Sequence, residues 1–241
     1  MHLNIQGFTN NYLDLQLFLN KYQNIQVISL NEHWLSTDNI GFLNQITNFK
    51  VADFFARNHQ SRGGSCLLVN KDLSYKVRED LKIMNEMFNF ESSCIEIKNW
   101  NSIFISIYRI PGNEIDKVFL EKYELLLEKL EVESRVKNIF IASDFNININ
   151  VSKPNTVKLL QISNMYGFQP NFTESTRVTK TTSTCIDNVV TNIKVVNLLN
   201  PKTLVQETGF SDHKALILLF DKPGKNWVNK KNLFQKSKHT K

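Results

Sequence analysis

The sequence has no apolar run of the roughly 18 residues that a membrane-spanning helix needs, so no membrane contact is expected. Its first residues, Met1-His2-Leu3-Asn4, show neither a basic stretch nor a long apolar one. No secretory leader is expected, and the protein reads as not secreted. Cysteine is scarce. Cys66, Cys94 and Cys185 are odd in number, far apart and never in a Cys-x-x-Cys spacing, which argues against a disulfide framework or a zinc site. Each stands in an apolar, strand-like stretch where a buried small hydrophobe is expected, which suits a reducing compartment. Internal repeats are also missing. What is present is ordinary: 41% hydrophobic and 22% charged residues, enough for one domain with a substantial core.

The net charge of +6 is unevenly placed. After Asp221 the chain carries seven lysines and no acid, which leaves 22 Lys and Arg against 23 Asp and Glu, a sum of −1, for residues 1–221. Residues 1–221 are therefore expected as one folded domain and residues 222–241 as a basic, flexible tail. A body of this charge does not coat nucleic acid by bulk attraction. It suits a site that gathers carboxylates around a bound metal.

Hydrophobic spacing predicts a helix over 10–22, with Leu13, Leu17 and Phe18 on its buried face, and a longer helix over 114–134. The latter places Phe119, Tyr123, Leu126, Leu127 and Leu130 on one side. A third helix is expected over 155–166. Strands are expected over 26–30, 65–69, 94–97, 103–108, 139–142, 185–190 and 214–220. Helices and strands mix without a strict βαβ rhythm, so the expectation is a layered α/β fold with mostly antiparallel sheets.

The informative feature is where polar residues fall. Asn4 follows a short first strand, and Glu32 follows the strand at 26. Tyr108 and Arg109 end the strand at 103, and Asp144 and Asn146 follow the strand at 139. Asp187 lies inside the strand at 185, and Asp212 and His213 precede the strand at 214. Taken singly these are surface charges, Asx turns and strand starts. Asp187 is the exception, because an acid beside Ile186 and Val189 is costly unless paired. Taken together they suit phosphodiester hydrolysis. Magnesium binds one or two carboxylates plus water and substrate, so Glu32 and Asp212, with Asn4, are candidate metal residues; manganese is an acceptable substitute. Asp144 is a candidate base for the attacking water. His213, oriented by Asp187, is a candidate for stabilising the phosphate.

In order along the chain, seven blocks resemble the endonuclease/exonuclease/phosphatase superfamily. They are Asn4-Ile-Gln-Gly7, Ser29-Leu-Asn-Glu-His-Trp-Leu35, Gly63-Gly64, Ile107-Tyr-Arg-Ile-Pro111, Ala142-Ser-Asp-Phe-Asn146, Thr182-Ser-Thr-Cys-Ile-Asp187 and Ser211-Asp-His213. The wording is closer still to the apurinic-endonuclease-like domain of non-LTR (LINE-type) retrotransposons. The resemblance implies a four-layered α/β sandwich of the DNase I type, with two packed sheets. It also implies a monomeric magnesium-dependent endonuclease that nicks one DNA strand and leaves a 3′-hydroxyl to prime reverse transcription. Residue by residue, it implies metal roles for Asn4 and Glu32, and for Asp212 in the terminal Asp-His. It implies phosphate contact by Tyr108, nucleophile activation by Asp144 with Asn146, and an Asp187–His213 pair. Arg109, Ser183 and Thr184 are expected to contact the DNA. A nuclear location follows, or otherwise a cytoplasmic one. Ser143 departs from the glycine usual at that place, and no reverse transcriptase accompanies the domain. The alternatives are the same chemistry on a lipid headgroup or an RNA 3′ end, and an inactive DNA-binding relic.

Overall fold

A computed structural model describes residues 1–58, 62–112, 115–192, 195 and 199–220. The expected tail from Lys222 lies outside the described residues. The elements in chain order are β1 (His2–Asn4), α1 (Phe8–Lys21), β2 (Val27–Asn31), β3 (Phe49–Phe55), β4 (Ser65–Asn70), β5 (Lys76–Val77), β6 (Glu91–Ile97) and β7 (Ser102–Tyr108). After these come α2 (Ile115–Ser134), β8 (Asn138–Asp144), α3 (Pro154–Met165), β9 (Phe168–Pro170), β10 (Arg177–Val178), β11 (Ser183–Thr184), β12 (Asp187–Asn192), β13 (Lys202–Gln206) and β14 (Ala215–Leu219).

Ten strands and two more at the edges build two six-stranded sheets, ordered β13-β14-β1-β2-β4-β3 and β5-β6-β7-β8-β12-β9. Each sheet has one parallel pair, β1 with β2 and β7 with β8, and is otherwise antiparallel. Those two pairs are the ones joined by a long helix, because a parallel neighbour needs a crossover. Helix α1 covers the first sheet through Phe8, Leu15, Phe18 and Leu19, while α2 and α3 cover the second. The result is the expected four-layered sandwich, helix on sheet on sheet on helices, with the side chains of Leu67, Val69, Ile95, Phe104 and Phe140 packed between the sheets.

Period-two alternation decides what each strand puts between the sheets. In β7, Ile103, Ile105 and Ile107 face the helices, while Phe104 lies in the inter-sheet core. Ser106 and Tyr108 share the parity of Phe104. By the same rule Asp144 follows Phe140 and Ala142 in β8, and Asp187 precedes Val189 in β12. In β1 the apolar Leu3 packs under α1, which turns His2 and Asn4 inward. The inter-sheet layer is thus apolar at one end and polar at the other.

Some expectations shift. Leu13 and Leu17 are exposed, at 61% and 62%. The buried face of α1 runs through Leu15 and Phe18 instead, because this helix is apolar on more than one side. The strand expected from Cys185 begins at Asp187. Strands β3 and β13 escape the sequence pattern because Lys50, Asp53 and Lys202 interrupt their apolar alternation. All three cysteines are free and buried, as expected. No helix among the described residues is long and apolar enough to cross a membrane.

Candidate active site

The polar end of the inter-sheet layer collects residues from both sheets. Open α/β sheets offer a crevice at the carboxyl ends of parallel strands, and Asn4, Asn31, Tyr108 and Asp144 are the last residues of the four parallel strands. Asp144 and Asp187 stand directly opposite each other in the β8–β12 ladder, and both are buried. Like-charged groups so placed are unfavourable unless something compensates.

Each acid has its own partners. Asn4 Nδ2 donates to Glu32 Oε1 at 2.8 Å and to Asp144 Oδ2 at 2.9 Å, so one amide ties the two carboxylates. Trp34 Nε1 donates to the other Glu32 oxygen at 3.0 Å. The backbone N–H of Asp144 donates to Asn31 Oδ1 at 2.9 Å, and that of Asn146 donates to Asp144 Oδ1 at 3.0 Å. Asn146 adopts a left-handed conformation, φ 49°, and its amide donates to the Arg109 carbonyl at 2.7 Å. Burial and the neighbouring Asp187 charge hold the Asp144 carboxyl above its ordinary pKa.

The second acid forms a different group. Asp187 Oδ2 is 2.8 Å from His213 Nδ1 and accepts from Thr176 Oγ1 at 2.8 Å. Burial alone works against charge on both groups. Their mutual attraction and hydrogen bond outweigh it, raising His213 to about 9 and holding Asp187 well below the usual carboxylate range. The imidazole is therefore charged at neutral pH, with Nδ1–H bound and Nε2 turned away from Asp187. Burial also pushes the phenol of Tyr108 up, as do the nearby Glu32 and Asp144, so it stays a neutral donor.

Geometry gives two of the expected site residues other partners. The Arg109 guanidinium is buried against Asp116 and donates to the Ile110 carbonyl at 2.9 Å, so it braces the loop rather than facing a phosphate. Arg109 meets the site through its backbone. Asp212 is bound by the Arg177 guanidinium, Nε and Nη2 both 2.9 Å from Oδ2, and its Oδ1 lies 3.7 Å from His213 Nε2. Among the described residues, the three acid or imidazole groups whose atoms lie within 4.8 Å of one another are Asp144, Asp187 and His213, without Glu32 or Asp212. Ser183 and Thr184 lie on the small β10–β11 hairpin, which joins the site through Thr176 and through an Arg177–His213 bridge. Ser183 is exposed and bonded to Ser175 at 2.8 Å.

The sequence reading passed over His2, Asn31, Thr176 and Arg177. Strand parity was the available signal for two of them, since His2 must share the face of Asn4, and Asn31 closes β2 on its inward side. Thr176 ends a loop and Arg177 opens the two-residue strand β10, too short to show a period.

A divalent cation suits this site. Glu32, Asp144 and Asp187 bring three carboxylates to one end of the inter-sheet layer, and burial together with the Asp187 charge pushes Asp144 toward its neutral form. At Glu32 and Asp144 each oxygen accepts one N–H, which leaves a lone pair on each. At Asp187 an ion would compete with the existing bonds from His213 and Thr176, so the Glu32–Asp144 side is the better cradle.

No protein-family model matches the chain. GTPase HflX of Methanocaldococcus jannaschii is 23% identical over 129 residues, spanning 54% of this chain and 30% of that protein. The G-x-x-x-x-G-K-[ST] loop that cradles nucleotide phosphates does not occur in this sequence. Solved structures are similar along nearly the whole chain. The endonuclease domain of TRAS1, a telomere-specific non-LTR retrotransposon, has a TM-score of 0.67 at 14% identity, covering 91% of this chain and 96% of that one. A 3′-5′ exonuclease from Neisseria meningitidis has a TM-score of 0.68 at 14% identity over 91% and 98%. An AP endonuclease from Archaeoglobus fulgidus has 0.65 at 13% over 91% and 98%. The fold is that of the endonuclease/exonuclease/phosphatase, DNase I-like proteins, and its neighbours in structure are nucleases and phosphatases.

Proposed function

We propose that this chain, built on the endonuclease/exonuclease/phosphatase fold, is a divalent-cation-dependent endonuclease that nicks DNA and leaves a 3′-hydroxyl. The observation that carries the reading is the pair of facing acids, Asp144 tied to Glu32 through Asn4 and Asp187 tied to His213. Two carboxylates held apart by different partners can serve as base and as orienter at once.

Glu32 and Asp144, steadied by Asn4, would hold a magnesium or manganese ion. That ion supplies charge to the phosphate and its leaving oxygen. Asp144 accepts the proton of the attacking water. Asn146 and the N–H it gives to Asp144 fix the direction of that carboxylate. The imidazolium of His213 turns Nε2 toward the phosphate and stabilises its developing charge, while Asp187 fixes the ring. Tyr108 donates its phenol proton to a phosphate oxygen. The hairpin with Ser183 and Thr184 borders the DNA path. The likeness to the TRAS1 domain supports a retrotransposon-type nick that primes reverse transcription.

Supercoiled plasmid with Mg²⁺ tests the reading. Wild type should yield open circles, and His213→Ala and Asp144→Asn should lose at least about a hundredfold in rate. Absence of nicking by a folded wild type overturns it. Cleavage of an inositol phospholipid or a 3′-phosphorylated RNA in place of the plasmid reassigns the substrate.

A further inference from the structure

Behind Asp187, opposite His213, lies a second imidazole that the proposed chemistry does not use. His2 is fully buried, and its Nε2 is 3.5 Å from Asp187 Oδ1. Neither atom has a hydrogen-bond partner, whereas the other polar atoms of the two groups are engaged. A buried carboxylate oxygen left without a donor is costly, and His2 Nε2 is the group placed to satisfy it.

Proton counting sets the tautomer. Asn31 Oδ1 accepts the N–H of Asp144, so its other terminal atom is the nitrogen, which donates to Ser106 Oγ at 3.2 Å. Ser65 Oγ also donates to Ser106 Oγ, at 2.9 Å. Both lone pairs of Ser106 are then taken, and its single proton goes to Ser29 Oγ at 2.7 Å. Ser29 Oγ then has its own proton free for His2 Nδ1, 2.9 Å away. The ring of His2 is left neutral with its proton on Nε2, facing Asp187. A chain of hydrogen bonds thus crosses between the sheets from Asn31, which holds the Asp144 backbone, to His2, whose Nε2 faces the back of Asp187.

We propose that His2 is a positioning residue for phosphodiester cleavage: its Nε2–H holds Asp187 Oδ1 from behind, so that Oδ2 meets His213 Nδ1 in a single orientation. The inference rests on the nuclease reading for its kinetic arm but not for its spectroscopic one. A histidine present only to fill space would be replaced by any ring of its size.

The first measurement is ¹⁵N-histidine NMR of the full-length wild type, with His2 assigned through His2→Gln. The expected spectrum at neutral pH shows His2 neutral, Nδ1 unprotonated and Nε2 protonated, while the charged His213 ring carries a proton on both nitrogens. The Nδ1–H tautomer of His2 overturns the proposal whether or not the protein cleaves DNA. The second measurement is the initial rate of plasmid nicking in Mg²⁺. His2→Phe keeps the ring and removes the donor, and should lower kcat roughly ten- to hundredfold while KM moves by less than about twofold. His2→Gln, with an amide nitrogen at the depth of Nε2, should recover most of that loss. Full kcat in His2→Phe, or equal losses in the two variants, overturns the proposal. A wild type that does not nick removes the nuclease reading and leaves the tautomer as the deciding result.

Discussion

At the scale of single residues, the site is governed by how each acid is compensated. His213 shows the energetic consequence. Its pKa rises from 6.5 in a free chain to about 9 in the folded state, because Asp187 stabilises the charged ring despite burial. A raised pKa contributes stability that is fully present below the unfolded value and is lost as pH climbs through the folded value. The window is therefore pH 6.5 to 9. The contribution is on the order of 3 kcal/mol at about 1.4 kcal/mol per unit. Urea titrations should show the stability advantage of wild type over His213→Gln shrinking between pH 6.5 and 9.5. Parallel curves for the two proteins would mean that the imidazole carries no such charge.

At the scale of elements, the loop after β2 places Glu32, and it does so under strain. Glu32 and Trp34 both have positive φ, 52° and 58°. The segment before β4 holds them there: Gly64 O accepts the N–H of Glu32 at 2.9 Å, and Gly63 O accepts that of Trp34 at 3.1 Å. Gly64 has φ +94°, and an added Cβ would lie 2.4 Å from Nε2 of His33. His33 cannot retreat, since Nε2 donates to the Phe55 carbonyl at 3.0 Å and Nδ1 accepts from Leu35 N at 3.0 Å. Gly64→Ala should therefore cost at least about 2 kcal/mol and depress nicking further by displacing Glu32. Gly167 also has positive φ but open space around it, so Gly167→Ala should cost only about 1 kcal/mol and leave nicking intact. Equal urea midpoints for the two variants would refute the clash.

The sequence showed that Gly63-Gly64 opens a strand and that Glu32 follows one, and both places were right. It could not show that one segment braces the other, because their contacts join residues 32 and 29 apart that carry no shared period. The same limit separates what was legible in the site from what was not. Acids at the ends of apolar runs stand out, as Asp144 and Asp187 did. Their neutral partners, Thr176 and Asn31, look like ordinary loop and strand residues until the sheets are packed. Arg109 misled for the converse reason: a cation beside Tyr108 resembles a phosphate ligand, and only the position of Asp116 reveals its true partner.

At the scale of the whole molecule, the nuclease reading has a site rich in carboxylates receive a polyanion, and residues 1–221 sum to −1 by formal charge. On that reading, long-range attraction to DNA would have two sources, the proposed cation and the seven lysines after Asp221. The first acts at the scissile phosphate. The second acts wherever the chain meets the backbone, and each neutralised phosphate adds close to one unit to the slope of log K against log salt. Deleting residues 222–241 should therefore weaken binding to a duplex at low salt and flatten that slope by up to about 6, while kcat at saturating plasmid stays near wild type. Fluorescence anisotropy across a salt series reads the slope, and plasmid nicking reads kcat. An unchanged slope would show that the lysines do not touch DNA. A collapse of kcat with an unchanged slope would instead give the segment a part in the site, which the charge argument does not provide for.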